Sequence, residues 1–109
     1  MAFLDWLEHP NVTKGYRFEN PKDIKLLRNG DFLIIENEQI NILDHNFCRI
    51  QPAIVGRFTR LLEGQNGDVY TLEERNDAKR KKLYLRKLFK KREHYNLDAT
   101  EESSKISDL

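Results

Sequence analysis

The chain has 109 residues, 39% of them hydrophobic and 34% charged, and its formal net charge is only +1. A chain of this length makes one domain that hides roughly two-thirds of its unfolded surface. It has no apolar run approaching about 18 residues, which argues against a transmembrane helix, and its single cysteine, Cys48, excludes an intrachain disulfide.

Residues 2–9 read as a short amphipathic helix. Phe3, Leu4, Trp6 and Leu7 give it an apolar side, and Pro10 stops it. Asp5 and Glu8 stand where a secretory signal needs basic residues, so no such signal is expected. A cytoplasmic or nuclear location fits, as does a virion interior. Residues 10–23 are loop-like. Lys22 to Leu27 fits a short strand or a turn of helix, and Asn29-Gly30 is a strong turn signal.

Strands are expected from there to residue 72. Phe32-Leu33-Ile34-Ile35 and the alternating Gln39-Ile40-Asn41-Ile42-Leu43 flank a polar turn, the pattern of a β-hairpin. Asp44-His45-Asn46 is a further turn. Phe47–Ile50 and Ala53–Leu62 are strand candidates separated by Pro52. Gly64 to Asp68 is a hairpin loop, with Val69 to Leu72 as its return strand.

Residues 79–92 then collect nine cations and no acid: Lys79, Arg80, Lys81, Lys82, Arg86, Lys87, Lys90, Lys91 and Arg92. Residues 1–78 carry −4 and residues 93–109 another −4, so charge is segregated along the chain. As a helix, the run would gather Leu85, Leu88 and Phe89 on one side. A helix is expected over 86–95, while 82–86 fits either a strand or a helix. From Asp98 onward the chain is acidic and serine-rich, which predicts a disordered tail over 98–109.

The expected fold class is therefore α+β. A small antiparallel sheet or barrel over about 24–72 carries a short N-terminal helix and a basic C-terminal helix, in one domain spanning 1–97. The expected core comprises Phe32, Ile34, Ile40, Ile42, Phe47, Ile50, Ile54, Val55, Phe58, Leu61, Val69, Leu72, Leu85 and Leu88.

Signals for catalysis or metal binding are weak. His45 and Cys48 have a metal-like spacing, but a zinc site needs about four ligands. Gly64 and Gly67 lack the helix and lysine of a phosphate loop. No nucleophile–base pairing can be argued, so neither an enzyme nor a cofactor is expected.

The cationic run is the constellation that bears on function. Concentrated like charge is self-repulsive, and a polyanion, an acidic protein surface or the chain's own acids would offset it. Lysine and arginine bind phosphates, and Tyr84, Phe89 and Tyr95 can stack on bases. Alternatively, the leucines dock on the sheet and the lysines form a solvated face.

Three segments in order resemble a bromo-adjacent homology domain, a β-rich module of chromatin proteins. They are Asn29 to Ile35, Pro52 to Glu63 with Asn66-Gly67-Asp68, and Tyr84 to Glu93. Residues 39–50 stand as an insertion against that pattern. The family's aromatic-Tyr-Arg-Pro end is here Leu88-Phe89-Lys90-Lys91-Arg92. The Asn29-Gly30-Asp31 hairpin also resembles strands of viral head-completion proteins, whose small barrels plug a portal. These resemblances imply a place in chromatin or another nucleoprotein assembly.

The expected function is a non-enzymatic nucleic-acid-associated module contacting phosphates through the nine cations, with no membrane partner. The alternative is a protein-interaction or assembly subunit using Phe3, Leu4, Trp6 and Leu7, since tryptophan is enriched at interface anchors.

Overall fold

Residues 17–98 and 104–108 are described by the computed structural model. Its first sheet is built where apolar residues alternate or run continuously. β1 (Asp23–Leu26), β2 (Phe32–Glu36), β3 (Gln39–Leu43) and β4 (Ile54–Val55) pair antiparallel in that order. The second sheet holds β5 (Phe58–Glu63), β6 (Val69–Asp77), β7 (Arg80–Lys91) and β8 (His94–Leu97) in the same fashion. β9 (Ser104–Asp108) pairs with β7 beyond the reach of β8.

The two sheets share one core. Leu33 and Ile35 of β2 and Ile40 and Ile42 of β3 meet Phe58, Leu61, Val69, Leu88 and Tyr95 from the second sheet, with Leu27 alongside. The opposite side of the first sheet has its own cluster of Ile34, Leu43 and Phe47, with Phe18 and Phe32 packed on it. The Phe32 and Phe47 rings stack at 4.7 Å. β2 and β3 are thus buried on both faces, which explains why β2 reads as an unbroken apolar run rather than an alternating one.

Side chains link the sheets where strands do not. The Leu61 N–H donates to Asp23 Oδ2 at 2.8 Å, joining β1 to β5. Gln51 behaves as a strand segment would: its Nε2 donates to the Tyr95 carbonyl at 2.9 Å and its Oε1 accepts the Tyr95 N–H at 2.6 Å. Between the sheets, Gly56 is required by close approach, because a Cβ there would lie 2.7 Å from the Phe58 ring.

The described residues contain no helix, and the fold is all-β rather than α+β. The expected basic helix over 86–95 is instead the second half of β7, a two-residue turn and the start of β8. Leu88 points into the core while Leu85 and Phe89 lie on the opposite face, so the three do not share a side. Ser104–Asp108, expected to be disordered, forms β9. The expected N-terminal helix over 2–9 lies outside the described residues. Among the expected core residues, Val55 is exposed, and Leu72 and Leu85 are half-buried on the outer face of the second sheet. Leu27, Leu33, Ile35, Leu43 and Tyr95 are core residues that the pattern did not single out.

Three hairpins turn on residue pairs with both φ values positive: Asn37-Glu38, Ala78-Lys79 and Arg92-Glu93. Such turns match the strand twist but favour Asn-Gly. A non-glycine residue in this region costs roughly 1–2 kcal/mol. At Asn37-Glu38, glycine at the second position relieves that cost and removes only the exposed Arg57–Glu38 pair at 3.3 Å, which is worth about 0–1 kcal/mol. Glu38→Gly is expected to raise the urea midpoint and to stabilise by about 1 kcal/mol. A lower midpoint would show that the turn is not strained.

Candidate nucleic-acid interface

The period of two in β7 sorts the cationic run onto two faces. Arg80, Lys82, Tyr84, Arg86, Leu88 and Lys90 share the inner face. Lys81, Leu83, Leu85, Lys87, Phe89 and Lys91 share the outer one. Leu88 fixes the assignment, because it is 2% exposed within the shared core.

Three of the nine cations have acidic partners from outside the run or from its closing turn. The Arg86 guanidinium is buried. Its Nη1 donates to Glu73 Oε1 at 2.9 Å, its Nε to Asp98 Oδ1 at 3.4 Å, and its Nη2 to the Asp98 carbonyl. Arg75 Nε also reaches Glu73 Oε1 at 3.0 Å and stacks its guanidinium over the Tyr84 ring. Lys90 Nζ donates to Asp31 Oδ2 at 3.1 Å and lies 3.5 Å from Glu93 Oε2. Lys87 Nζ sits 3.3 Å from Asp68 Oδ2. Lys82 is half-buried on the inner face and also has an interaction partner.

The remaining cations lie at the two ends of β7. Lys79, Arg80 and Lys81 occupy the β6–β7 hairpin tip, and Lys91 and Arg92 the β7–β8 turn. All five are exposed, and among the described residues none makes an ion pair. The eleven steps from Arg80 to Lys91 span about 36 Å at the rise of a strand. The run therefore presents two separated cationic ends rather than one continuous patch.

Between those ends lies the outer face of the second sheet. The register places Leu62, Tyr70 and Lys87 in one row and Arg60, Leu72 and Leu85 in another. Phe89 stands diagonally from Tyr70 and opposite Asn96, and Leu83 opposite Glu74. Leu62 is 46% and Phe89 41% exposed. Leu62, Tyr70, Leu72, Leu83, Leu85 and Phe89 all lie outside both core clusters of the described residues.

A cleft of about 380 Å³ opens at one end of the sandwich, floored by Leu27, Val69 and Leu88. Arg28, Lys87 and Lys90 line it together with Glu63, Asp68, Asn29 and Tyr95. Its lysines are paired with acids, and Arg28 Nη1 donates to the Gln65 carbonyl. An anion entering here would have to displace these partners, so the cleft is a poorer phosphate site than the strand ends.

The cleft wall has a tight polar cluster. Tyr95 Oη donates to Asp31 Oδ2 at 2.8 Å and accepts from Asn29 Nδ2 at 2.8 Å. Burial pushes the Tyr95 phenol up to about 12. Its bond to Asp31 and the charges of Asp31 and Glu63 add to the rise, while Asn29 opposes it. For the Lys90 ammonium, burial alone would lower the pKa, but the bonds to and charges of Asp31 and Glu93 hold it above its ordinary 10.5.

The other candidates noted in the sequence do not converge. His45 and Cys48 are both exposed in a turn where Cys48 N–H donates to Asp44 Oδ1 at 3.0 Å. Among the described residues no three His, Cys, Asp or Glu side chains are grouped to hold a metal ion. No helix of the described residues is long and apolar enough to cross a membrane. Phe3, Leu4, Trp6 and Leu7 lie outside the described residues. Sequence reasoning missed the structural role of Arg86 and the outer row of Leu62, Tyr70 and Leu72. The alternation of residues 58–62 and 69–72 was the available signal for that row.

No protein-family model, no curated protein and no solved structure matches this chain.

Two predictions follow from the polar contacts. Arg86→Met leaves Glu73 with only the partly exposed Arg75 as its cationic partner and is expected to destabilise by about 1–3 kcal/mol. Urea unfolding measures this, and a loss below about 1 kcal/mol would mean that the network contributes little.

The second concerns Tyr95. Below pH 10 its phenol is neutral folded and unfolded, and its stabilising contribution is complete. From pH 10 to about 12 the unfolded phenol ionises first, so stability falls as pH rises. A spectrophotometric titration should therefore show a late component near pH 12, absent in Tyr95→Phe. If Tyr95→Phe instead removes a component near the ordinary pH 10, Tyr95 lies outside the Asp31–Asn29 cluster.

Proposed function

We propose that this chain is a non-enzymatic binding module for nucleic acid. Its phosphate contacts come from Lys79, Arg80 and Lys81 at one end of β7 and from Lys91 and Arg92 at the other. Lys87 contributes from the outer face. The observation that carries the reading is the exposure of five cations without ion pairs among the described residues, in a chain whose formal net charge is only +1. Lys90 and Arg86 are set aside as contacts, because Asp31, Glu73 and Asp98 already engage them. A chromatin or other nucleoprotein setting follows from the sequence resemblance rather than from the fold.

Phosphate binding releases counterions, so the logarithm of affinity falls with that of salt by about 0.7–0.9 per contact. The triple change Lys79→Gln, Arg80→Gln and Lys81→Gln removes exposed charge at a turn and disturbs no buried group. It is expected to weaken binding to a short oligonucleotide and to reduce the salt slope by about 2. Equal affinity and equal slope for the two proteins, or absence of binding at low salt, would reject the proposal.

A further inference from the structure

The two cationic ends of β7 lie about 36 Å apart, and the outer face joining them sets apolar side chains among Arg60, Glu74 and Lys87. A ligand that neutralises both must be extended and must cross the outer face of the second sheet. Tyr70 and Phe89 stand on its two middle strands, toward the Lys91 end, diagonal to one another, a separation within reach of two aromatic side chains. Lys87 lies on the same strand as Phe89 and directly opposite Tyr70. Its pair with Asp68 is partly exposed, at 43% and 33%, and pairs of this kind contribute little, so a phosphate can take the place of Asp68.

A regular duplex keeps its bases inside and offers this apolar surface nothing. A single strand offers both a charged backbone and unstacked bases, which pack on aromatic side chains irrespective of sequence. We propose that the outer face of the second sheet is a binding platform for single-stranded nucleic acid. Bases stack on Tyr70 and Phe89, with Leu62 and Leu85 extending the apolar surface. Phosphates follow Lys81, Lys87 and Lys91. This inference rests on the nucleic-acid reading above and names the form of nucleic acid and the face that takes it. Net positive charge along the face, from Arg60, Lys81, Lys87 and Lys91 against Glu74 and Asp68, favours a polyanionic occupant.

The test uses fluorescence anisotropy with a labelled oligothymidylate of about 12 nucleotides, within the site sizes of known single-strand folds. A duplex of matching length is measured beside it at the same salt. The full chain is expected to prefer the single strand. Tyr70→Leu with Phe89→Leu keeps the face apolar but removes both stacking rings. It should weaken single-strand binding about 30-fold or more, leave the salt slope unchanged and leave duplex binding unaltered. Tyr70→Phe should retain the affinity.

Photo-crosslinking of a bromouracil-substituted oligonucleotide to the unaltered protein gives a readout that needs no variant. The crosslink is expected on β6 or β7 at Tyr70 or Phe89. Full affinity in the double leucine variant, or crosslinks confined to other elements, would overturn the platform while leaving the phosphate reading intact. Absence of binding to both oligonucleotides would remove both readings. Binding to polyglutamate without binding to either nucleic acid would assign the face to an acidic protein segment instead.

Discussion

The inward fixing of Leu88 and Arg86 on β7 decides what the rest of the second sheet presents. Leu88 is held by the core shared between the sheets, and Arg86 by Glu73 and Asp98. Both side chains point the same way because they are two residues apart. A one-residue slip would carry Lys87 and Phe89 inward and expel both anchors. Leu88 excludes that slip through apolar burial. Arg86 excludes it by geometry, since its buried charge finds acceptors in only one register. The outward row of Lys81, Leu83, Leu85, Lys87, Phe89 and Lys91 is the consequence.

Long-range polar contacts do for the two sheets what hydrogen-bonded strands do within each. Asp23 accepts the Leu61 N–H 38 residues away, and Gln51 pairs with the Tyr95 backbone across 44 residues. Tyr95 reaches Asp31 across 64 residues. The contacts of Asp23 and Gln51 satisfy backbone groups that would otherwise lie unpaired near a core, where a lost partner costs about 1–3 kcal/mol. Among the described residues no buried side-chain nitrogen or oxygen lacks a hydrogen-bond partner. The sandwich thus tolerates several buried polar residues, among them Asp31, Asn41, Glu73 and Arg86, because each has found its acceptor or donor.

Most strands between residues 32 and 72 could be read, β2 as a short apolar run, β3 and β5 by alternation, and β6 from the Asn66-Gly67 turn before it. Phe47–Ile50, expected as a strand, holds only the bridge from Arg49 to Leu43. The segment after residue 79 could not be read, for two reasons. Leu85, Leu88 and Phe89 stand three and four residues apart, the spacing that a helix gathers on one side. In the strand that spacing splits them between two faces, and apolar residues on both faces erase the alternation. The turns that bound β7 are Ala78-Lys79 and Arg92-Glu93, which carry positive φ without glycine or asparagine. Turn chemistry gives no warning of them. The cationic run itself was visible, but the partners of Arg86, Lys87 and Lys90 come from Glu73, Asp98, Asp68 and Asp31. Those pairings are tertiary facts that local spacing does not encode.

Segregated charge is offset in this fold by position rather than by neighbours in sequence. The interior takes one cation, Arg86, and surrounds it with acids from β6 and from the end of β8. The outer row takes others and spaces them between Leu83, Leu85 and Phe89. Lysines in such a row discourage edge-to-edge and face-to-face association of exposed apolar strands. The same spacing sets charge beside apolar surface at intervals of four to six residues along the outer row of β7. A compact anion can neutralise one end of that strand but cannot cover the leucines, and an apolar partner can cover the leucines but leaves the lysines desolvated and unpaired, which is costly. A ligand that alternates charge with flat apolar groups along its own length satisfies both, which is the ground on which a single nucleic-acid strand is proposed for this face.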